Sequence, residues 1–527
     1  MRHLNAGRRG ARTGQTCIAT WLAIVSAAWA QPDGAAPSAP LPANLNLGAG
    51  QVALLVLEDV SEVPASTTAL PLFSPLGPED ARLGECRRLL DNEAARFVLT
   101  LLRPPMSRYQ GATEGVLPIA LREGGNHARR GFRLRRGASQ SDYPDQPYVL
   151  LELHANSLSQ TLLHEGGHVL HDLARSGKRP APRWSAVLHS TFAVTDPLTA
   201  LAEGYAEHLE TLWGHFGSDP ERRAYYHRLA PGFEIAGSFK AEFYAPVADL
   251  LTFAQEWARY QSLRDGLAAF AGNVYPGDYL RSQYDPARDR SGLKRPNAMV
   301  ASEGVVASVM FWTVAGRGAE LGAQPGAGLN QAGLIAAEQE LLDAMAACPS
   351  FSESDFRPDL VDLIAAASAS GSKLRRFAGS RFVELTRGVT ARPALASTWS
   401  ALYTAALSLD QAKSRELFEL LEAARQEIEK SAADHPELLR AGLGPILPVR
   451  APGVELELKA LGEKFPLEFD LNAASAAELA AVPGLTTAQR ERLARELDQR
   501  PFASLADAET RIGTRLADLG LEPVKYD

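Results

Sequence analysis

Cysteine is almost absent from this sequence: there are three in 527 residues, and one of them, Cys17, lies in an apolar run near the N-terminus. That scarcity excludes a fold stapled by disulfides and a metal site built from thiolates, both of which need clustered cysteines. Beyond the N-terminal run only Cys86 and Cys348 remain. They could form a disulfide if the fold brings their α-carbons within about 7 Å, or stay as two buried thiols. Excess positive charge is missing as well. With 54 Lys and Arg against 62 Asp and Glu, a net charge of -8 and a pI near 5.9, the chain has no global basic footprint for nucleic acid or an anionic membrane surface. After the N-terminal run no stretch approaches the ~20 consecutive apolar residues of a membrane-spanning helix. No repeat of roughly 20 to 50 residues recurs, so a solenoid is excluded.

What is present fits an ordinary globular protein, 46% hydrophobic and 22% charged, long enough for about two to four domains. Residues 1–15 carry Arg2, Arg8, Arg9 and Arg12 with no acid, followed by CIATWLAIVSAAWA, which ends in the small-x-small pattern Ala28-Trp29-Ala30. This reads as a secretory signal peptide cleaved after Ala30. The Pro/Ala/Gly-rich residues 31–48 read as a linker. Gln51 to Leu57 and Tyr148 to Leu153 (YVLLEL) read as strands, with a helix from Glu85 to Leu102 between them. From about Ser157 the periods are mostly helical, interrupted by SGKRPAPRW and VYPGDY, and a second helical stretch runs from about Gln331 to Ala433.

Just after YVLLEL comes TLLHEGGHVLH, residues 161–171. Asn156, Ser157 and Ser159 offer N-caps, and the Leu and Val spacing gives one buried helical face. His164 and His168 are four apart, so both imidazoles leave one face and can share a tetrahedral Zn²⁺. Glu165 stands beside the first of them, where its carboxylate can act as general base on a metal-activated water. This is the HExxH arrangement of metal-assisted hydrolysis. The adjacent Gly166 and Gly167 cost about 1 kcal/mol each in a helix interior, so something must exclude side chains there: the metal, a substrate or a close helix. His171 follows, but a metzincin would have glycine there and histidine where Ala174 stands, which excludes that family.

A third ligand must come from elsewhere. Residues 201–210, LAEGYAEHLE, are helical in period and place Glu203 35 residues after His168. The stretch resembles the NEGFAxYxE helix of the gluzincins, the clan that contains thermolysin and the zinc aminopeptidases. The resemblance implies Glu203 as the third zinc ligand, and Glu207, one turn on, as a hydrogen-bond partner of a ligand histidine. Ala202 stands where asparagine is usual, and the longer gap from His168 corresponds to the SGKRPAPRW loop. Glu303, opening SEGVVA, is a competing acid, though a glutamate at a helix N-terminus is ordinarily structural. His189, His208, His215 and His227 are read as surface or supporting residues. In gluzincins a downstream tyrosine or histidine stabilises the oxyanion, and Tyr225, Tyr226, Tyr244, Tyr275 and Tyr279 are the candidates here. YVLLEL resembles the edge strand that holds extended peptides in such enzymes, which implies a peptide or protein substrate.

Residues 469–509, FDLNAASAAELAAVPGLTTAQRERLARELDQRPFASLADAE, resemble the helix-hairpin-helix domain of competence-type DNA receptors. Ser475 with Glu478 reads as a capping box, and Val482-Pro483-Gly484-Leu485 as the hairpin. Ala488 to Leu497 is the second helix, and Pro501-Phe502 with Ser504-Leu505 starts a second unit. Thr486 occupies the place of the second hairpin glycine. Residues 469–527 contain ten acids and seven bases, a balance that favours a packing or protein-contact module over a DNA grip.

These readings give an α+β, predominantly α-helical fold with a zincin-like catalytic core and a small N-terminal sheet. The expected organisation is signal peptide 1–30, linker 31–48, α+β region 49–156 with an edge strand, catalytic region 157–315, helical region 316–443, linker 444–468 and helix-hairpin-helix module 469–527. The expected function is an exported, periplasmic or secreted zinc metallopeptidase. The alternative is a non-catalytic exported binding or scaffold protein on the same framework, contacting protein or DNA through its C-terminal module.

Overall fold

A computed structural model describes residues 41–61, 70–111, 115–122, 126–153, 158–174, 194–195, 197–220, 293–348, 359–369, 373–435, 438–439, 442–458, 463–474 and 476–524. The signal-peptide reading, His189, His227 and all five candidate tyrosines (Tyr225, Tyr226, Tyr244, Tyr275, Tyr279) lie outside the described residues.

The N-terminal region is a ring of five strands: β1 (Ala53–Asp59), β2 (Leu72–Pro75), β3 (Val116–Leu121), β4 (His127–Arg136) and β5 (Ser139–Leu151), closed in the order β1-β2-β4-β5-β3. Period-two alternation divides each strand between two cores. On β1, Leu55 and Leu57 face the ring interior, while Leu54 and Val56 face the helices. Phe73, Phe132, Tyr143 and Tyr148 fill the interior, with ring centroids 5.2–5.7 Å apart. The end of the expected linker is built into this unit: Leu41 is buried, and the Asn44 side chain bonds both the N–H and the carbonyl of Val56.

The edge-strand expectation is corrected. Residues 149–151 of β5 pair with β3 on one side, and residues 148–150 pair with β4 on the other, so YVLLEL is interior to the sheet. β4 flanks it, and among the described residues β2 pairs with β4 only near Arg133 and Leu134. The register of β4 shifts at Gly131, whose φ of +83 suits glycine.

The expected helix from Glu85 to Leu102 is two helices, α1 (Ala81–Leu90) and α2 (Glu93–Gln110), because Asn92 turns extended and caps α2 by accepting from the Ala95 N–H. α2 packs on α3 (Leu158–Ala174), which packs in turn on α4 (Pro197–Phe216). Then come α5 (Pro296–Val300), α6 (Glu303–Glu320), α7 (Ala332–Ala347), α8 (Asp359–Ala369), α9 (Leu374–Leu385), α10 (Leu395–Leu407) and α11 (Gln411–Asp434). The boundary expected at 315/316 falls inside α6, and a single core runs from Leu45 to Leu439. α6 lies against α4 on one side and against α7 and α9 on others, which leaves no seam for a separate helical domain. Cys86 and Cys348 are separate buried thiols not joined by a disulfide. No helix among the described residues is long and apolar enough to cross a membrane.

The C-terminal unit starts earlier than the sequence suggests. The expected linker 444–468 holds β6 (Pro448–Leu458) and most of β7 (Glu463–Asp470), joined by β8 (Glu522–Pro523). Their inward residues Val449, Leu467 and Phe469 share a core with α12 (Ala476–Ala481), α13 (Thr487–Gln499) and α14 (Leu505–Ile512). The unit docks on α5: Arg295 donates to the Ala474 carbonyl and to Asp498, and the Asn297 amide bonds Gly444 in both directions.

Candidate metal centre

α3 enters between two helices that come unusually close. A Cβ on Gly166 would sit 2.6 Å from Val98 Cγ2 on α2, and one on Gly167 would sit 3.0 Å from Leu209 Cδ1 and 3.1 Å from Ala206 Cα on α4. Of the three explanations open for the paired glycines, a close neighbouring helix is the one the packing supplies. The approach of α4 sets the site, because it carries Glu203 to the histidine face of α3.

His164 Nε2 and His168 Nε2 are 3.2 Å apart, and Glu203 Oε2 lies 3.5 Å from the first and 3.3 Å from the second. Three donors each about 2.0–2.1 Å from one centre at tetrahedral angles stand about 3.3–3.4 Å from one another. The observed triangle has that size. These three residues form the only such ligand group among the described residues. The competing Glu303 is buried at the start of α6 and is not part of it.

Glu165, Glu203 and Glu210 are all buried around two imidazoles. Such a set of carboxylates favours positive charge between them, and the group of His164, His168 and Glu203 could hold a metal ion that would supply it. Burial alone works against protonating His164, yet the carboxylates of Glu203 and Glu210 outweigh it and hold the imidazole well above its ordinary pKa. Burial raises Glu165, opposed in part by His164 and His168. One Glu165 oxygen accepts the main-chain N–H of Ala128 on β4 at 2.7 Å. His168 is the most open of the three ligand side chains, at 11% exposure.

Glu210 meets a ligand imidazole, with its Oε1 2.6 Å from His164 Nδ1. Glu207, expected in that role, is buried one turn after Glu203 on the same helix. Residues four and seven after Glu203 share its face, so spacing admits both. His208 is neither a surface residue nor a ligand: it is fully buried and bonds Glu338 on α7 at 3.1 Å. His215 packs edge-on against Phe216 and Phe311, and His171 lies near the Tyr205 ring.

The hairpin of the C-terminal unit is occupied by the unit itself. A Cβ on Gly484 would meet the Leu519 carbonyl oxygen at 2.7 Å. Thr486 and Gln489 cap the start of α13 reciprocally, which occupies the main-chain N–H groups of Thr486 and Gln489. Arg490, Arg492 and Arg500 bond partners within the unit, and Arg511 pairs with Glu496 and stacks on Phe502. Ser475 of the expected capping box lies outside the described residues.

No protein-family model, curated protein or solved structure matches the chain.

Proposed function

We propose that this chain is an exported zinc-dependent metallopeptidase that hydrolyses peptide bonds, with His164, His168 and Glu203 as metal ligands and Glu165 as general base. The observation that carries the reading is the triangle of donors, whose sides of 3.2, 3.3 and 3.5 Å suit tetrahedral coordination. A zinc ion there would supply a Lewis acid that polarises the scissile carbonyl and makes water acidic enough to attack near neutral pH. The resemblance to gluzincins supports the choice of zinc and of a polypeptide substrate. So does a sheet whose strand β5 is the element that precedes α3 in the chain.

The chain's own groups divide the remaining work. Glu210 holds the proton of His164 on Nδ1 and leaves Nε2 with its lone pair towards the ligand point. Glu165 takes a proton from the attacking water, whose oxygen bonds to the carbonyl carbon. The C–N bond then breaks, and Glu165 delivers that proton to the departing nitrogen. The Ala128 N–H holds one carboxylate oxygen and leaves the other for this transfer. Because β5 is paired on both sides, the strand beside the reacting groups is β4, and an extended substrate would lie along its edge near Ala128.

The test is hydrolysis of labelled casein by the full chain, with zinc content measured alongside, for wild type, Glu165→Gln and His168→Ala. Wild type should hold one zinc and cleave. Glu165→Gln should keep zinc and lose at least about a hundredfold in rate, and His168→Ala should lose both. Equal cleavage by wild type and Glu165→Gln overturns the mechanism. Zinc binding without any cleavage favours the non-catalytic alternative.

A further inference from the structure

Beside the metal centre the sheet presents two cations that the hydrolytic reading does not use. Ala120 of β3, Leu150 of β5 and His127 of β4 stand in line across three neighbouring strands. Side chains two residues apart on a strand share a face, so Arg122 emerges on the same face as Ala120, and Arg129 on the same face as His127. Arg122 keeps strand geometry one residue past β3, because its N–H bonds the Leu151 carbonyl at 3.0 Å. Both arginines are exposed. Neither makes an ion pair among the described residues, whereas Arg130, on the opposite face, is held by Asp172 of α3.

His127 lies within electrostatic reach of both guanidinium groups and of the ligands His168 and Glu203. Burial first, then the fields of Arg129, Arg122 and His168, push His127 down to about 4, with Glu203 acting the other way. His127 is therefore neutral at pH 7, and the local positive charge belongs to the arginines. Asp59 is within reach of Tyr148, as are both arginines, but its Oδ1 is occupied by the Ser61 N–H and it pairs with neither guanidinium. β4, which carries the Ala128 N–H to Glu165, thus presents on one face positive charge that no acid among the described residues pairs.

We propose that Arg122 and Arg129 select a carboxylate on the peptide that lies along β4, either an acidic side chain near the scissile bond or the peptide's own C-terminal carboxylate. This rests on the peptidase reading for the pose of the peptide. An extended segment on that edge places alternate side chains on the face of His127 and Arg129. Guanidinium matches carboxylate with two parallel N–H donors, which a neutral amide does not reward equally.

The experiment uses zinc-loaded full chain carrying Glu165→Gln, so that peptides bind without being cut. The probes are four fluorescein-labelled peptides of about eight residues, with one central glutamate or glutamine, each as free acid or C-terminal amide. Anisotropy at low salt should show about three- to tenfold tighter binding for a carboxylate-bearing form, an advantage that shrinks at about 0.5 M salt. Which pair shows it identifies the side chain or the terminus as the group recognised. Arg122→Ala combined with Arg129→Ala should abolish the advantage at unchanged zinc content, and the double lysine replacement should retain part of it. Equal affinity for all four peptides, or an advantage unchanged in the double alanine variant, overturns the proposal. Carboxylate-selective binding without any Glu165-dependent hydrolysis by the wild-type residue would sustain the arginine site and sink the peptidase reading.

Discussion

The imidazole of His164 on α3 and the carboxylate of Glu210 on α4 meet at 2.6 Å, with side chains only 5% and 1% exposed. An ionised carboxylate only accepts, so the contact requires the proton on Nδ1 and orients Nε2 towards His168 and Glu203. Glu210→Ala should therefore lower zinc affinity about ten- to a hundredfold. Glu210→Gln, which still accepts through its carbonyl oxygen, should lie between. Competition with a chromogenic chelator measures both, and an Ala variant that binds zinc as wild type does would remove Glu210 from the site.

The glycine pair makes a steric prediction. Gly166→Ala puts a methyl group 2.6 Å from Val98 Cγ2, and overpacking of this kind costs about 1–3 kcal/mol. Adding Val98→Ala opens the space again. In urea unfolding the double variant should be less destabilised than the sum of the two single changes. Additive losses would show that α2 does not exclude a side chain there.

How far the sequence carried depended on the type of signal. His164, Glu165 and His168 were legible because helix spacing fixes them within one turn, and Glu203 because a second short pattern surrounds it. Their convergence was not legible, since the close approach of α3 and α4 depends on packing at Gly167 against Ala206 and Leu209. β4 escaped notice because HARRGFRLRR has no apolar run, although Phe132 and Leu134 alternate into the ring interior. The strand pattern of VELEL and KFPLEF was hidden in what reads as a Pro/Gly-rich linker. Asn92 ended one apparent helix and began another, as a capping residue can inside a continuous apolar period.

A buried polar knot on the far side of α4 gives a stability prediction. Glu338 of α7 is fully buried, accepts from the Tyr205 hydroxyl at 2.7 Å and meets His208 Nε2 at 3.1 Å. His208 Nδ1 faces the Tyr205 carbonyl, so it must donate there. Glu338→Ala leaves a hydroxyl and an imidazole buried without their acceptor, and should cost about 3–5 kcal/mol. Glu338→Gln, which keeps an acceptor, should cost about 1–3 kcal/mol. Urea midpoints for the two variants check the order, and a harmless Ala variant would show that water replaces the carboxylate.

The junction of the C-terminal unit should respond to pH through Asp470. Burial pushes this carboxyl from 3.8 up to about 6, opposed by the N–H groups of Leu447 and Asn472 and by the Asn297 side chain. A pKa raised on folding means that the folded state holds the proton more tightly. Below about 4 the group is protonated in both states, and its contribution to stability is flat. As pH rises from about 4 to about 6 the unfolded chain ionises first and stability is lost. Above about 6 the loss is complete, at no more than about 3 kcal/mol for two units at 1.36 kcal/mol each. Asp470→Asn keeps a carbonyl oxygen for the two N–H groups and carries no charge. It should slow hydrogen exchange in residues 447–524 at pH 7 relative to wild type, with a difference that vanishes towards pH 4. Other carboxylates titrate in both proteins, so the difference between them isolates this one. Protection that changes in parallel for the two proteins across that range would mean that Asp470 ionises in the folded unit at no cost.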